Sequence, residues 1–293
     1  MSSLRTKPQV AKKTNANKAD ANKADANKAD ANKADANKVD SKTAEGITLT
    51  FGDMAENHVG MEQIGQMVPE GQGFQLEDLQ AIQSTMKERG VTCELVTLSS
   101  ADQPAAYVLV IRQGVNALAK QIDLFQEQKG LIYDKQAFMY GRVVNKHARW
   151  NLCFDEKSRE PDYEAGKGRI VGYTEVPLMK GLMNQIETLF GPKATGLKVE
   201  SNYYYDTSKC GIGFHGDSER RKVVGVRIGH ASTPMQWQWF HKGEAVGDRI
   251  MIPLEPGDMY VMSEKAVGTD WKKKTILTLR HATGCDKFTT IHS

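Results

Sequence analysis

Cysteine is scarce in this chain of 293 residues: Cys93, Cys153, Cys210 and Cys285 are widely scattered and form no Cys-x-x-Cys pair. A zinc knuckle is therefore disfavoured, and free thiols in a reducing compartment are expected. Long apolar runs are also missing. None approaches the roughly 20 residues of a membrane helix, so no membrane partner is expected. Residues 1–13 are basic but no apolar stretch accompanies them. That argues against a secretory signal and for an intracellular protein, cytoplasmic or nuclear. A dominant charge is lacking too. Lys and Arg number 39 against 36 Asp and Glu, a net charge of +3, which is too small to establish a nucleic-acid partner.

What is present divides the chain into three. Residues 16–40 repeat Ala-Asn-Lys-Ala-Asp four times and end as Ala-Asn-Lys-Val-Asp. A period of five matches neither 3.6 nor 2, so no apolar face forms. With nothing large to bury, residues 1–44 are expected to be a disordered low-complexity tail. Residues 45–130 read as a small α/β module of unknown role. Ile47 to Phe51 alternates like a strand, and Leu76 to Met86 has helical spacing and stops at Gly90. Val91 to Leu98 and Ala106 to Ile111 look like strands, and Val115 to Gln128 like one amphipathic helix. His58, in the loop from Gly52 to Gly60, reads as a capping or packing residue. From residue 131 to 293 short strands alternate with Gly, Pro and Asp turns around one helix, Leu178 to Phe190. Gly243 to Gly247 and Glu255 to Asp258 carry turn signals. The expected fold class is α+β, a jelly roll with flanking helices.

The chemistry concentrates in this last region. His215 and Asp217 are two apart, so on a strand they project to one face. Together they supply two of the three ligands of a 2-His-1-carboxylate iron site. Asn202 and Tyr204 share a face of the preceding strand and can donate hydrogen bonds to a carboxylate or keto oxygen. Lys274 and Arg280, six apart, share a face of an unbroken strand. A guanidinium suits a two-pronged grip on a carboxylate. Trp237 and Trp239 share one face and are expected in the core. The clusters Arg220-Arg221-Lys222 and Lys272-Lys273-Lys274 read either as solvated faces or as phosphate contacts.

In this order the residues resemble the AlkB-like branch of the Fe(II)/2-oxoglutarate dioxygenases. The resemblance covers about Tyr140 to Gly284. It is carried by Asn202-Tyr203-Tyr204, His215-Gly216-Asp217, Glu219-Arg220, Pro253 to Asp258, and Thr278-Leu279-Arg280. The chain also resembles oxygenase-like proteins of large DNA viruses and algae, in which such a domain follows a small N-terminal module. The resemblance implies a distorted double-stranded β-helix with Fe(II) at its mouth. It implies 2-oxoglutarate held by Asn202, Tyr204, Lys274 and Arg280, and O2 as the oxidant. Decarboxylation of 2-oxoglutarate to succinate would accompany hydroxylation of a C–H bond. On an N-alkyl group of a DNA or RNA base, the product would collapse and release an aldehyde. Arg149 and Trp150 would face the substrate, as would Glu219.

One departure stands out. The family carries its second histidine between the Gly-Asp turn and the last strand, and Met259 to Lys274 contains none. Three assignments stay open: His281 as third ligand, Asp270 as a second carboxylate, or only two protein ligands. His281 adjoins Arg280, so both cannot point inward without a bulge. His230 and His241 have weaker claims. Two alternatives to nucleobase oxidation accompany the departure. One is the same chemistry on a protein side chain or small molecule. The other is a non-catalytic nucleic-acid or protein adaptor with an incomplete triad. The oligomeric state is not legible.

Overall fold

The computed structural model describes residues 44–291. The tail expected over residues 1–44 lies, but for its last residue, outside the described residues. In chain order the elements begin with β1 (Gly46–Gly52), β2 (Met54–Glu56), β3 (Gln63–Gly65), α1 (Leu76–Glu88), β4 (Cys93–Thr97), β5 (Tyr107–Ile111), α2 (Gly114–Leu118) and α3 (Gln121–Lys129). They continue with β6 (Gln136–Met139), β7 (Arg142–Asn145), β8 (Trp150–Asp155), β9 (Ile170–Gly172), α4 (Pro177–Leu189), β10 (Lys198–Tyr204) and β11 (Gly211–His215). Last come β12 (Val223–Gly229), β13 (Met235–His241), β14 (Glu244–Ile252), β15 (Met259–Met262), α5 (Glu264–Val267), β16 (Thr278–Gly284) and α6 (Asp286–Thr289).

The chain is mixed α/β and dominated by antiparallel sheet. An eight-stranded sheet has the order β4-β5-β15-β12-β1-β10-β8-β9, and a four-stranded sheet the order β11-β16-β13-β14. Among the described residues only β8 and β9 pair in parallel. Alternation explains the layering. In β1, Ile47, Leu49 and Phe51 face a core that also holds residues of α1, α3 and α4. On α4, Met179, Leu182, Met183 and Ile186 are buried at helical spacing, and Pro177 starts the helix where its missing N–H costs nothing. The opposite face of the large sheet meets the small one: Val108, Val110, Tyr260 and Met262 pack with Trp237, Trp239 and Leu279. The two tryptophans are core, as their shared face predicts. This arrangement is compatible with a β-sandwich carrying helices on its outer face.

The boundary expected at residue 130 is absent. β1 pairs with β10 on one side and β12 on the other, from Gly46↔Tyr204 and Gly46↔Gly229 onward. β5 pairs with β15. The expected separate module therefore supplies strands of the main sheet, and the described residues form one compact unit. Two local expectations also change. The helix expected over Val115 to Gln128 is two helices, α2 and α3, broken at Ala119, which is extended. The turn after β13 is Lys242-Gly243, both with positive φ (54° and 95°), which is the twist a two-residue hairpin needs. Glu244 to Gly247, expected as turn, belongs to β14.

Candidate metal centre

His215 ends β11, and His281 stands opposite it on β16. Asp217 follows in the turn after β11. Its backbone N–H donates to Val267 O at 3.0 Å, which ties the turn to the end of α5. Gly216 makes that contact possible. A Cβ there would stand 2.0 Å from Gly268 O and 2.9 Å from the Trp271 side chain.

The three side chains converge. His215 Nε2 lies 3.4 Å from Asp217 Oδ1, and His281 Nε2 lies 3.6 Å from the same oxygen. The imidazole rings are 4.5 Å apart between centroids and inclined at 63°. One donor atom from each residue falls within 4.8 Å of the others. Donors bound at about 2.1 Å to one ion on neighbouring octahedral positions stand about 3 Å apart, so this set fits a metal after small adjustment. His215 Nδ1 sits 2.8 Å from Gly213 O. If Nδ1 carries the proton, Nε2 is left with its lone pair toward the centre.

Electrostatics favour the ligand forms. Burial alone would raise the Asp217 carboxyl. The Arg220 guanidinium, 3.7 Å away, and the two histidines outweigh it and hold Asp217 well below the usual carboxylate range. Burial and the neighbouring His215 lower the His281 imidazole, against the pull of Asp217, which disfavours its charged form. Arg220 is 3% exposed and donates to Glu200 Oε2 at 2.6 Å and Glu219 Oε1 at 2.7 Å. Burial, with the charges of Asp217 and Glu200, pushes the Glu219 carboxyl up to about 7 against the pull of Arg220.

The triad opens on a cavity of about 1050 Å³ lined by both sheets. Its floor is built from the polar positions of three adjacent strands. Thr48 on β1 lies directly between Asn202 on β10 and Arg227 on β12. Thr50, Glu200, Tyr204 and Tyr260 extend that floor. The β2–β3 hairpin, with Met54, Glu56, His58 and Met61, and the α5–β16 loop, with Trp271 and Lys272, contribute to its lining.

The expected residues divide into two groups. His215, Asp217, His281, Asn202, Tyr204, Arg149 and Glu219 all line the cavity. Asn202 is already engaged: its Oδ1 accepts from Arg149 Nε at 2.7 Å and Asn151 Nδ2 at 2.6 Å. Arg280, Lys274 and Trp150 do not line it. β16 runs without a bulge at this point, so turning His281 inward turns Arg280 outward. There its guanidinium stacks 4.1 Å from the Phe240 centroid and 5.3 Å from that of Trp271. Lys274 precedes the strand and is exposed. Trp150 shares a face with Tyr203 and Tyr205, stacking on the latter at 4.2 Å, and not with Asn202. Asp270 is bonded to Lys265 at 2.7 Å, away from the triad. His230 and His241 are also outside the cavity lining, whereas His58 is within it. Thr48, Thr50, Glu200, Arg227 and Tyr260 are site residues that the sequence did not single out, and Arg220, named there in a basic cluster, is neither a solvated face nor a phosphate contact but a buried partner of Asp217, Glu200 and Glu219. For Arg227 a signal existed: it is the one charged side chain in the apolar run from Val223 to Gly229.

No protein-family model matches the chain. It is similar to an uncharacterized protein, R156, of Acanthamoeba polyphaga mimivirus: 49% identical over 251 residues, which span 83% of this chain and 97% of that protein. The chain belongs to the same family as that protein.

Proposed function

We propose that this relative of the mimivirus protein R156 is an Fe(II)- and 2-oxoglutarate-dependent dioxygenase of AlkB-like type, with a double-stranded β-helix core. Its substrate would be an alkylated or methylated nucleobase in DNA or RNA. The observation that carries the reading is the convergence of His215, Asp217 and His281 at the wall of a large cavity. Two imidazoles and one carboxylate on a single face are the donor set of non-haem iron oxygenases, with the remaining positions left for cosubstrate and O2. Bound iron would supply reduction of O2 coupled to decarboxylation of 2-oxoglutarate.

The chain's own residues do the rest. Asp217 is held ionised by Arg220, and the two histidines direct Nε2 toward it. Glu200 and Glu219 hold Arg220 in place, so the carboxylate ligand keeps its orientation. Glu219, near neutrality in its proton affinity, can hold a proton at the cavity wall. The β2–β3 hairpin and Trp271 form part of the cavity wall around the centre. Arg149 and Lys272 put positive charge on the cavity lining, where a phosphate backbone would approach. The nucleobase substrate itself rests on the AlkB-like resemblance.

Succinate release tests the reading. Protein supplied with Fe(II), 2-oxoglutarate and air should form succinate in excess of background when given methylated oligonucleotides, and less with methylated peptides. Turnover on peptides alone would move the substrate class to protein side chains. No succinate with any of them would remove the enzymatic reading.

A further inference from the structure

Arg227 is a buried cation without an anion. It is 5% exposed, on the central strand β12, and lines the cavity that holds the triad. Its one side-chain hydrogen bond goes from Nη2 to Thr283 Oγ1 at 2.9 Å. Its Nε is buried without a partner. Among the described residues no carboxylate lies within ion-pair distance of it. Arg220, on the same cavity and as deeply buried, has Glu200 and Glu219. An isolated buried charge costs several kcal/mol unless a counter-charge joins it. The fold therefore leaves room for an anion at Arg227.

The surroundings define which anion. Thr48 is the register neighbour of Arg227, and its buried Oγ1 is also without a partner. The Arg227 guanidinium lies 5.9 Å from the Tyr204 ring centroid. The Tyr260 ring lies over Gly225, where a Cβ would be 1.9 Å from it. Burial raises both phenols, against the pull of Arg227 on each, so both remain donors. Thr48 and the two phenols can each donate to a carboxylate, and Glu200, the charged carboxylate that acts on both phenols, is paired with Arg220. Thr283, which anchors Arg227, is two residues from His281 on one face of β16, a separation of about 7 Å. That is comparable with the length of a short dicarboxylate with one end at the triad and the other at Arg227.

We infer that Arg227, held in place by Thr283, whose own hydroxyl donates to Pro234 O, forms with Thr48 and the Tyr204 and Tyr260 phenols the subsite for the distal carboxylate of a dicarboxylic 2-oxo acid. Arg280 has no part in it. The inference rests on the oxygenase reading above, but it assigns a cation on a different strand from the one the AlkB-like resemblance implies.

Anaerobic full-length protein loaded with Fe(II) is titrated with 2-oxoglutarate and with 2-oxobutyrate, which lacks the distal carboxylate. Binding is read from visible absorbance, and metal content is measured separately. Wild-type protein should prefer 2-oxoglutarate by roughly 30-fold or more, the scale of a buried charge pair. Arg227→Met should bind iron normally, keep its affinity for 2-oxobutyrate and lose the preference. Its ligand-free stability should not fall, since no anion is left stranded. Arg280→Met should keep the preference. If Arg227→Met does not fold, Arg227→Lys carries the test. It keeps the charge without the planar fork, so the preference should drop several-fold with iron binding intact. A preference that survives Arg227→Met, or survives Arg227→Lys undiminished, overturns the assignment and leaves the oxygenase reading standing. So does a preference abolished by Arg280→Met. Wild-type protein that binds iron but neither acid overturns both.

Discussion

Gly216 owes its place between the two candidate ligands His215 and Asp217 to the loop that packs on it. Any Cβ would meet Gly268 O at 2.0 Å, so Gly216→Ala must displace the α5 end or the ligand turn. We expect at least a tenfold loss of iron affinity, checked by metal titration, with little change in helix content by circular dichroism. Arg220 acts on the same turn through charge. Arg220→Met would leave Asp217, Glu200 and Glu219 buried together, and should destabilise the protein by about 3–5 kcal/mol in urea denaturation. A loss under about 1 kcal/mol would show that these carboxylates find other partners. Lys146 gives a pH-dependent case. It is 8% exposed, and burial lowers it from 10.5 to about 8. Both states are protonated below pH 8, and there the folded state carries the full penalty. Between about pH 8 and 10.5 the unfolded chain binds the extra proton, so this term makes stability rise with pH, by up to about 3 kcal/mol. The stability difference between wild type and Lys146→Met should shift in favour of wild type across that window. A difference flat with pH contradicts it. At this scale the sequence was informative where spacing alone decides orientation, as for His215 and Asp217. It was ambiguous at Arg280 and His281, because adjacency says that one faces inward and not which. The buried core on the His281 side of β16 decides it. Arg227 was hidden in a strand whose neighbours were unknown.

The strands show why those neighbours were unknown. The alternation of β1 marks it as a strand, but alternation carries no information about partners. Its partners lie near residues 200 and 225, some 150 residues further on. A segment so far from the ligand motifs therefore read as a separate module. Its place in the sheet has a measurable consequence. Leu49 is fully buried, and Leu49→Ala should cost about 2–5 kcal/mol in urea denaturation. A chain starting at residue 131 should not fold, because β12 and β10 would lose the strand between them along with the Thr48 floor. A cooperative unfolding transition from that fragment would restore the two-domain division. The hairpin at Lys242-Gly243 is a smaller instance. The five-residue Gly-to-Gly stretch resembled a turn, but two positive-φ residues suffice and the rest continues as strand.

Across the described residues, the two larger sheets face each other and line a common cavity. The small sheet contributes both histidines, and the large sheet contributes the floor with Arg227. No helix of the described residues is long and apolar enough to cross a membrane. The central claim is that the centre is a three-ligand metal site completed by His281. The most direct measurement is the visible spectrum of anaerobic protein with Fe(II) and 2-oxoglutarate. Wild-type protein should show a weak charge-transfer band, lost in Asp217→Ala and His281→Ala and kept in Asp270→Ala. No band in the wild type, or a band that survives His281→Ala and disappears in Asp270→Ala, would contradict it.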